Sequence, residues 1–184
     1  MQLVSRLKRT LAITAVMGSL VLPNDARAQT EPPSEPPVEW TATAIDYSNV
    51  HYPWPVEYLD VELFGLDLRM AYMDVEPAGV PNGMTVVVFH GMNFFAAPYE
   101  PMIRALTEAG FRTIAIDRLG YGRSSKPDIH YNLHIPARNT RALLDHLGIE
   151  RAAVVGHSMG GMVATRFAST YPTTTTHVVM VNQI

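Results

Sequence analysis

One serine in this chain has the neighbours that nucleophilic chemistry needs. The run Gly156-His157-Ser158-Met159-Gly160 fits the pattern G-x-S-x-G. Apolar "AAVVGH" leads into it, and "MGGMVATRF", with helical character, leads out. A strand that turns at once into a helix forces its apical residue into a strained backbone conformation. Side chains two before and two after the apex would collide with the neighbouring helix and strand, so glycine is expected at 156 and 160. The turn would lift the Ser158 hydroxyl above the sheet, at the start of the following helix. Unpaired N–H groups and the helix dipole there favour developing negative charge. The expected chemistry is attack by Ser158 Oγ on a carbonyl carbon, through an acyl-enzyme.

Other polar residues invite simpler explanations. His157 adjoins Ser158 but shares its strained turn and should point away from the hydroxyl. His130 and His134 are four apart at a loop-to-helix junction and lack an evident third ligand, so no metal is expected. Asp117, at the end of an apolar strand, is expected to pin the glycine loop that follows. Ser124 and Ser125 lie in that loop, without a sharp turn to present them. His90 is expected to brace its own loop by hydrogen bonding.

The elements that must position Ser158 can be traced from the hydrophobic pattern. "VEYLDVELFGLDLRMAYMDV" (56–75) alternates apolar and polar residues on both sides of Gly65, which predicts a β-hairpin. "MTVVVFH" (84–90), "RTIAID" (112–117), "AAVVGH" (152–157) and "HVVMVN" (177–182) are continuous apolar runs, as in strands covered on both faces. Met102, Ile103, Leu106 and Ala109 recur at helical spacing before Gly110. Further helices are expected over residues 135–147 and from Ser158 to Tyr171, where Pro172 stops the helix. Strands alternating with helices over short links imply a parallel sheet with helices on both faces.

Three segments together resemble the α/β-hydrolase superfamily, in the branch with an H-G-x-x loop and a G-H-S-M-G elbow. They are "HGMN" after the first buried strand, "DRLGYGRSSKP" (117–127) after the second, and "GHSMGG" at the elbow. The resemblance spans Val56–Ile184 and implies an α/β-hydrolase fold, mostly parallel with an antiparallel amino-terminal hairpin. It implies that His90-Gly91 carry the oxyanion loop and that the backbone N–H groups of Met92 and Met159 form the oxyanion hole. Both methionine side chains would then line the pocket floor. No cofactor and no metal are implied; the expected partner is a small ester or amide. Esterase, lactonase, carbon–carbon bond hydrolase, cofactor-free peroxidase and prolyl aminopeptidase chemistries all stay open, while a serine nucleophile argues against dehalogenase or epoxide hydrolase activity.

A serine needs a base and an orienting carboxylate, which in this superfamily follow it in the chain. Residues 159–184 contain no Asp or Glu, and His177 opens the last strand at its amino end. Sites of open α/β sheets lie beyond the carboxyl ends of the strands, so His177 is on the wrong side. The expectation is therefore an incomplete domain, truncated after about the sixth strand, with its acid and base beyond Ile184. A non-catalytic small-molecule-binding remnant of the same fold is the alternative.

The amino terminus has a different character. Arg6, Lys8 and Arg9 precede the apolar run Leu11–Leu22, and Ala26-Arg27-Ala28 follows. This is the layout of a secretory signal, residues 1–28, with cleavage expected after Ala28 and export to the periplasm or medium. Twelve apolar residues fall short of the roughly 20 that span a bilayer, so no stable anchor is expected after cleavage. Residues 29–55, with six prolines, suggest a tether. Of 184 residues, 47% are hydrophobic and 17% charged, values suited to a packed domain. The net charge of −3 becomes −6 without residues 1–28, since they hold four of the 14 basic residues and one of the 17 acidic ones. An acidic domain has no electrostatic reason to bind nucleic acid. There is no cysteine, hence no disulfide, lipid-bearing cysteine or thiol nucleophile.

Overall fold

The computed structural model describes residues 42–182, so the proposed signal segment and the first part of the tether lie outside the described residues. Six strands form one sheet in the order β1-β2-β4-β3-β5-β6. They are β1 (Glu57–Leu63), β2 (Leu66–Val75), β3 (Thr85–Phe89), β4 (Arg112–Ile116), β5 (Ala152–His157) and β6 (Thr175–Val181). Gly65, at φ 74°, closes the β1–β2 hairpin. Strand β2 also runs antiparallel to β4, whereas β4, β3, β5 and β6 are mutually parallel. Among the described residues three α-helices accompany the sheet: α1 (Glu100–Glu108), α2 (His134–His146) and α3 (Met159–Thr170).

Continuous apolar strands are explained by the two layers they serve. Val87, Phe89, Ile114, Ile116 and Val154 point to one face, where Leu143 and Leu144 of α2 and Val163 and Phe167 of α3 cover them. Alternate residues Val86, Val88, Ala115, Ala153 and Val155 point to the other, against Ile103 of α1. Helix α2 starts where Asn132 Oδ1 accepts the N–H groups of His134 (2.9 Å) and Ile135 (3.2 Å), and ends before Gly148 at φ 67°.

The register sets the site. Phe89 pairs with both Ile116 and Gly156, so β3, β4 and β5 end level. His90, Asp117 and Ser158, each one or two residues further on, therefore meet at one edge of the sheet.

The packed unit begins earlier than Val56, at Ala42. Tyr52 is buried, and Val50 and Trp54 pack beside it against the α1 face. Arg123 Nη2 donates to Val50 O (2.8 Å), and Tyr52 Oη donates to Asp117 Oδ2 (2.5 Å). The prolines at 53 and 55 suggest a tether to residue 55; residues 42–55 instead fold through turns and a bend at Pro53–Trp54, with Tyr52 and Trp54 packed on the core. Among the described residues β6 is an edge strand, with Val178, Val179 and Met180 39%, 48% and 52% exposed.

Candidate active site

Ser158 stands where β5 becomes α3, with φ 53° and ψ −124°. A non-glycine residue holds such angles only under constraint from its surroundings. That constraint is visible at the two flanking glycines. A Cβ on Gly156 would lie 2.2 Å from Gly160 O, and one on Gly160 would lie 2.2 Å from Phe89 O. The helix thus packs down against its own strand and against β3, with room for hydrogen alone. Ser158 N–H donates to Val181 O (3.0 Å), which ties the elbow to β6.

As the first residue of α3, Met159 has an N–H without an intrahelical acceptor. The loop after β3 lies against the same turn. A Cβ on Gly91 would be 3.2 Å from His157 Nδ1 and 3.4 Å from Ser158 Cβ. Glycine at 91 is thus what lets this loop approach Ser158 closely. The Met159 side chain lines a cavity of about 230 Å³, with Met70, Ile116, Leu119, Leu133 and Ile135 around it. Met92, expected to line the pocket floor, is instead 55% exposed.

His90 is buried, and burial, reinforced by the neighbouring Arg118 cation, pushes its pKa down to about 3. The neutral ring has one tautomer that satisfies its partners. Nε2 accepts the Arg118 backbone N–H (3.2 Å), which leaves Nδ1–H to donate to Gly91 O (2.8 Å). Bracing is what this geometry shows for His90.

Asp117 pins its loop as expected. It accepts hydrogen bonds from Ala96 N–H (2.7 Å), Arg123 N–H (2.8 Å) and Tyr52 Oη, joining three segments. Burial raises its pKa and these donors partly offset the rise. Ser124 Oγ donates to Asp117 O (2.5 Å) and accepts from Ala71 N–H (2.8 Å), while Ser125 Oγ accepts from Arg69 N–H (2.9 Å). Both serines stitch the loop to β2. His130 and His134 are exposed, and no three His, Asp or Glu side chains among the described residues could hold a metal ion.

Two residues at the site escaped the sequence. Tyr99, on a one-turn 3₁₀ helix (Ala97–Tyr99), accepts Gly91 N–H (3.0 Å). Its hydroxyl also shares a hydrogen bond with His157 Nδ1 (2.8 Å), so the His157 ring is held by Tyr99. Arg118 is 5% exposed and donates from Nη2 to Gly91 O (3.1 Å). Nothing in the spacing marks Tyr99. A charged residue directly after an apolar strand was the available sign for Arg118. His177, in the first half of β6, lies four residues before Val181 and so about 13 Å from the elbow end of the strand.

Comparison with known proteins agrees with this architecture. The chain is 38% identical over 111 residues to epoxide hydrolase A of Mycobacterium tuberculosis, covering 59% of this chain and 33% of that one. It is 32% identical over 136 residues to a haloalkane dehalogenase of Mycolicibacterium paratuberculosis, covering 71% and 44%. A crystal structure from Pseudomonas aeruginosa PAO1, described as a probable hydrolytic enzyme, superposes with a TM-score of 0.70 at 48% identity, covering 73% of this chain and 43% of that one. The chain thus spans between a third and a half of the length of these relatives. A family model for the alpha/beta hydrolase fold matches residues 85–183, which carry the oxyanion loop, the pinned loop and the elbow, and the chain belongs to that family.

Proposed function

We propose that this chain is the nucleophile-bearing part of an exported serine hydrolase acting on a small ester or amide. The observation that carries the reading is the constrained Ser158 at φ 53°, set at the start of α3 with the Gly91 loop against it. Ser158 Oγ attacks the substrate carbonyl carbon, and a base takes the hydroxyl proton. The carbonyl oxygen becomes anionic between the Met92 and Met159 N–H groups, then re-forms as the alcohol or amine leaves with the proton. Water, activated by the same base, attacks the acyl-enzyme and releases the acid. The base and its carboxylate belong to the part of the fold that follows residue 184.

Serine at the elbow separates this reading from the chemistry named for the epoxide hydrolase and dehalogenase relatives, which an aspartate nucleophile would suit. The signal-like residues 1–28 support export, and the acidic net charge disfavours nucleic acid as a partner. A non-catalytic protein of the same fold that binds a small molecule is the second reading.

The test is hydrolysis of p-nitrophenyl acetate and butyrate by the natural full-length protein and by Ser158→Ala. Turnover that falls by about 10⁶-fold in the variant supports the enzyme. Equal, residual rates in both would leave the binding reading in its place.

A further inference from the structure

Gly91 is gripped at both its peptides, at the carbonyl of Gly91–Met92 and at the N–H of His90–Gly91, and Arg118 and Tyr99 are without a task in the scheme above. A trans peptide points its C=O and N–H in opposite directions, and no peptide among the described residues is cis. Whatever grips Gly91 O therefore aims Met92 N–H the other way. Gly91 O receives His90 Nδ1–H at 2.8 Å and Arg118 Nη2 at 3.1 Å. On the amino side of the residue, Gly91 N–H donates to Tyr99 Oη at 3.0 Å, and Tyr99 Oη shares a hydrogen bond with His157 Nδ1 at 2.8 Å. The second chain of bonds ends on the residue next to Ser158, so it fixes the oxyanion loop relative to the elbow itself.

Arg118 is a costly residue to place here. Its guanidinium is buried, and no carboxylate among the described residues pairs with it; its neighbours are the His90 ring, Gly91 O and the Tyr121 ring, 5.0 Å away. A buried cation without a carboxylate is unfavourable unless its other contacts compensate. The single backbone carbonyl that its side chain reaches is that of Gly91. A positive charge on that carbonyl also polarises the peptide, which strengthens Met92 N–H as a donor.

We propose that Arg118 and Tyr99 are positioning residues, which lock the Gly91–Met92 peptide so that Met92 N–H faces the oxyanion formed at Ser158. The proposal rests on the serine-hydrolase reading and adds residues to it. Neither side chain needs to touch substrate: each acts through the peptide.

The experiment compares the natural full-length protein with Tyr99→Phe, Arg118→Met and Arg118→Lys. It measures kcat and KM for p-nitrophenyl butyrate, inhibition by phenylboronic acid, and the melting temperature of each. Loosening one oxyanion donor should lower kcat by about 10- to 100-fold and leave KM within about twofold. Phenylboronic acid, whose tetrahedral adduct mimics the anionic intermediate, should weaken in step with kcat. Arg118→Lys, which keeps one charged donor, should recover part of the loss seen in Arg118→Met. If Arg118→Met fails to fold, Tyr99→Phe and Arg118→Lys still give the answer. Folded variants with wild-type kcat, or a loss that resides wholly in KM, overturn the proposal alone. Absence of turnover in the wild type removes the hydrolase reading, and this role with it.

Discussion

At the residue scale, the chemistry depends on groups kept in one charge state. His90 is neutral because burial holds its pKa at about 3, against an ordinary value of 6.5. Between those values the unfolded chain binds a proton that the folded chain refuses, so stability falls as pH drops below 6.5. One such group gives a slope of about 1.4 kcal/mol per pH unit. Asp117 works in the opposite sense: with its pKa raised by burial, it adds stability as pH falls toward the ordinary carboxylate value of 3.8, and nothing further below it. Urea titrations from pH 7 to 5 should show wild-type stability falling with about that slope and His90→Gln largely flat. Parallel slopes would show that His90 does not titrate in this way. Tyr52→Phe removes a buried donor to Asp117 and should cost about 1–3 kcal/mol by the same titrations at pH 7.

At the element scale, the elbow is built by contact between backbones. Gly160→Ala sets a methyl group 2.2 Å from Phe89 O and 2.8 Å from His90 O, and neither backbone oxygen can move without displacing β3. Overpacking of this kind costs about 1–3 kcal/mol or more. The variant should melt well below the wild type and lose activity, whereas Gly65→Ala, which meets nothing within 4 Å, disturbs only the hairpin turn. Equal melting temperatures for the two variants would contradict the packing described. These elements were legible because each carries a local signal. The apolar runs gave β3 to β6 within about two residues, and Gly110, Gly148 and Pro172 marked where helices stop. The contacts of Tyr99 and Arg118 were not legible. They depend on which side chains the sheet register brings level, across 58 residues for Tyr99–His157 and 27 for Arg118–Gly91. The tether was overextended for a related reason: proline content describes local backbone, whereas the burial of Tyr52 is decided by the Asp117 loop 65 residues away.

At the scale of the molecule as described, residues 42–182, the sheet has one charged edge and one apolar edge. On the hairpin side β1 is charged along its outer positions, with Glu57, Asp60 and Glu62. On the other side β6 presents Val178, Val179 and Met180 to solvent. An apolar edge strand of this length is a template for pairing with another chain. Residues 42–184 expressed alone should therefore self-associate at tens of micromolar, and Val179→Lys should shift them toward monomer in size-exclusion chromatography. A monomeric parent would show that the edge is protected. The superfamily and the sharp turn at Ser158 could be read from residues 84–161, because the strands and glycine-flanked turns of that stretch carry local signals.

The central claim is that the elbow presents an activated serine. It is tested most directly by labelling the natural full-length protein with a fluorophosphonate probe, which phosphonylates an activated serine. Labelling confined to the peptide that contains Ser158, and lost in Ser158→Ala, is the result this account predicts. A wild-type protein that stays unlabelled under conditions that label a known serine hydrolase would contradict it.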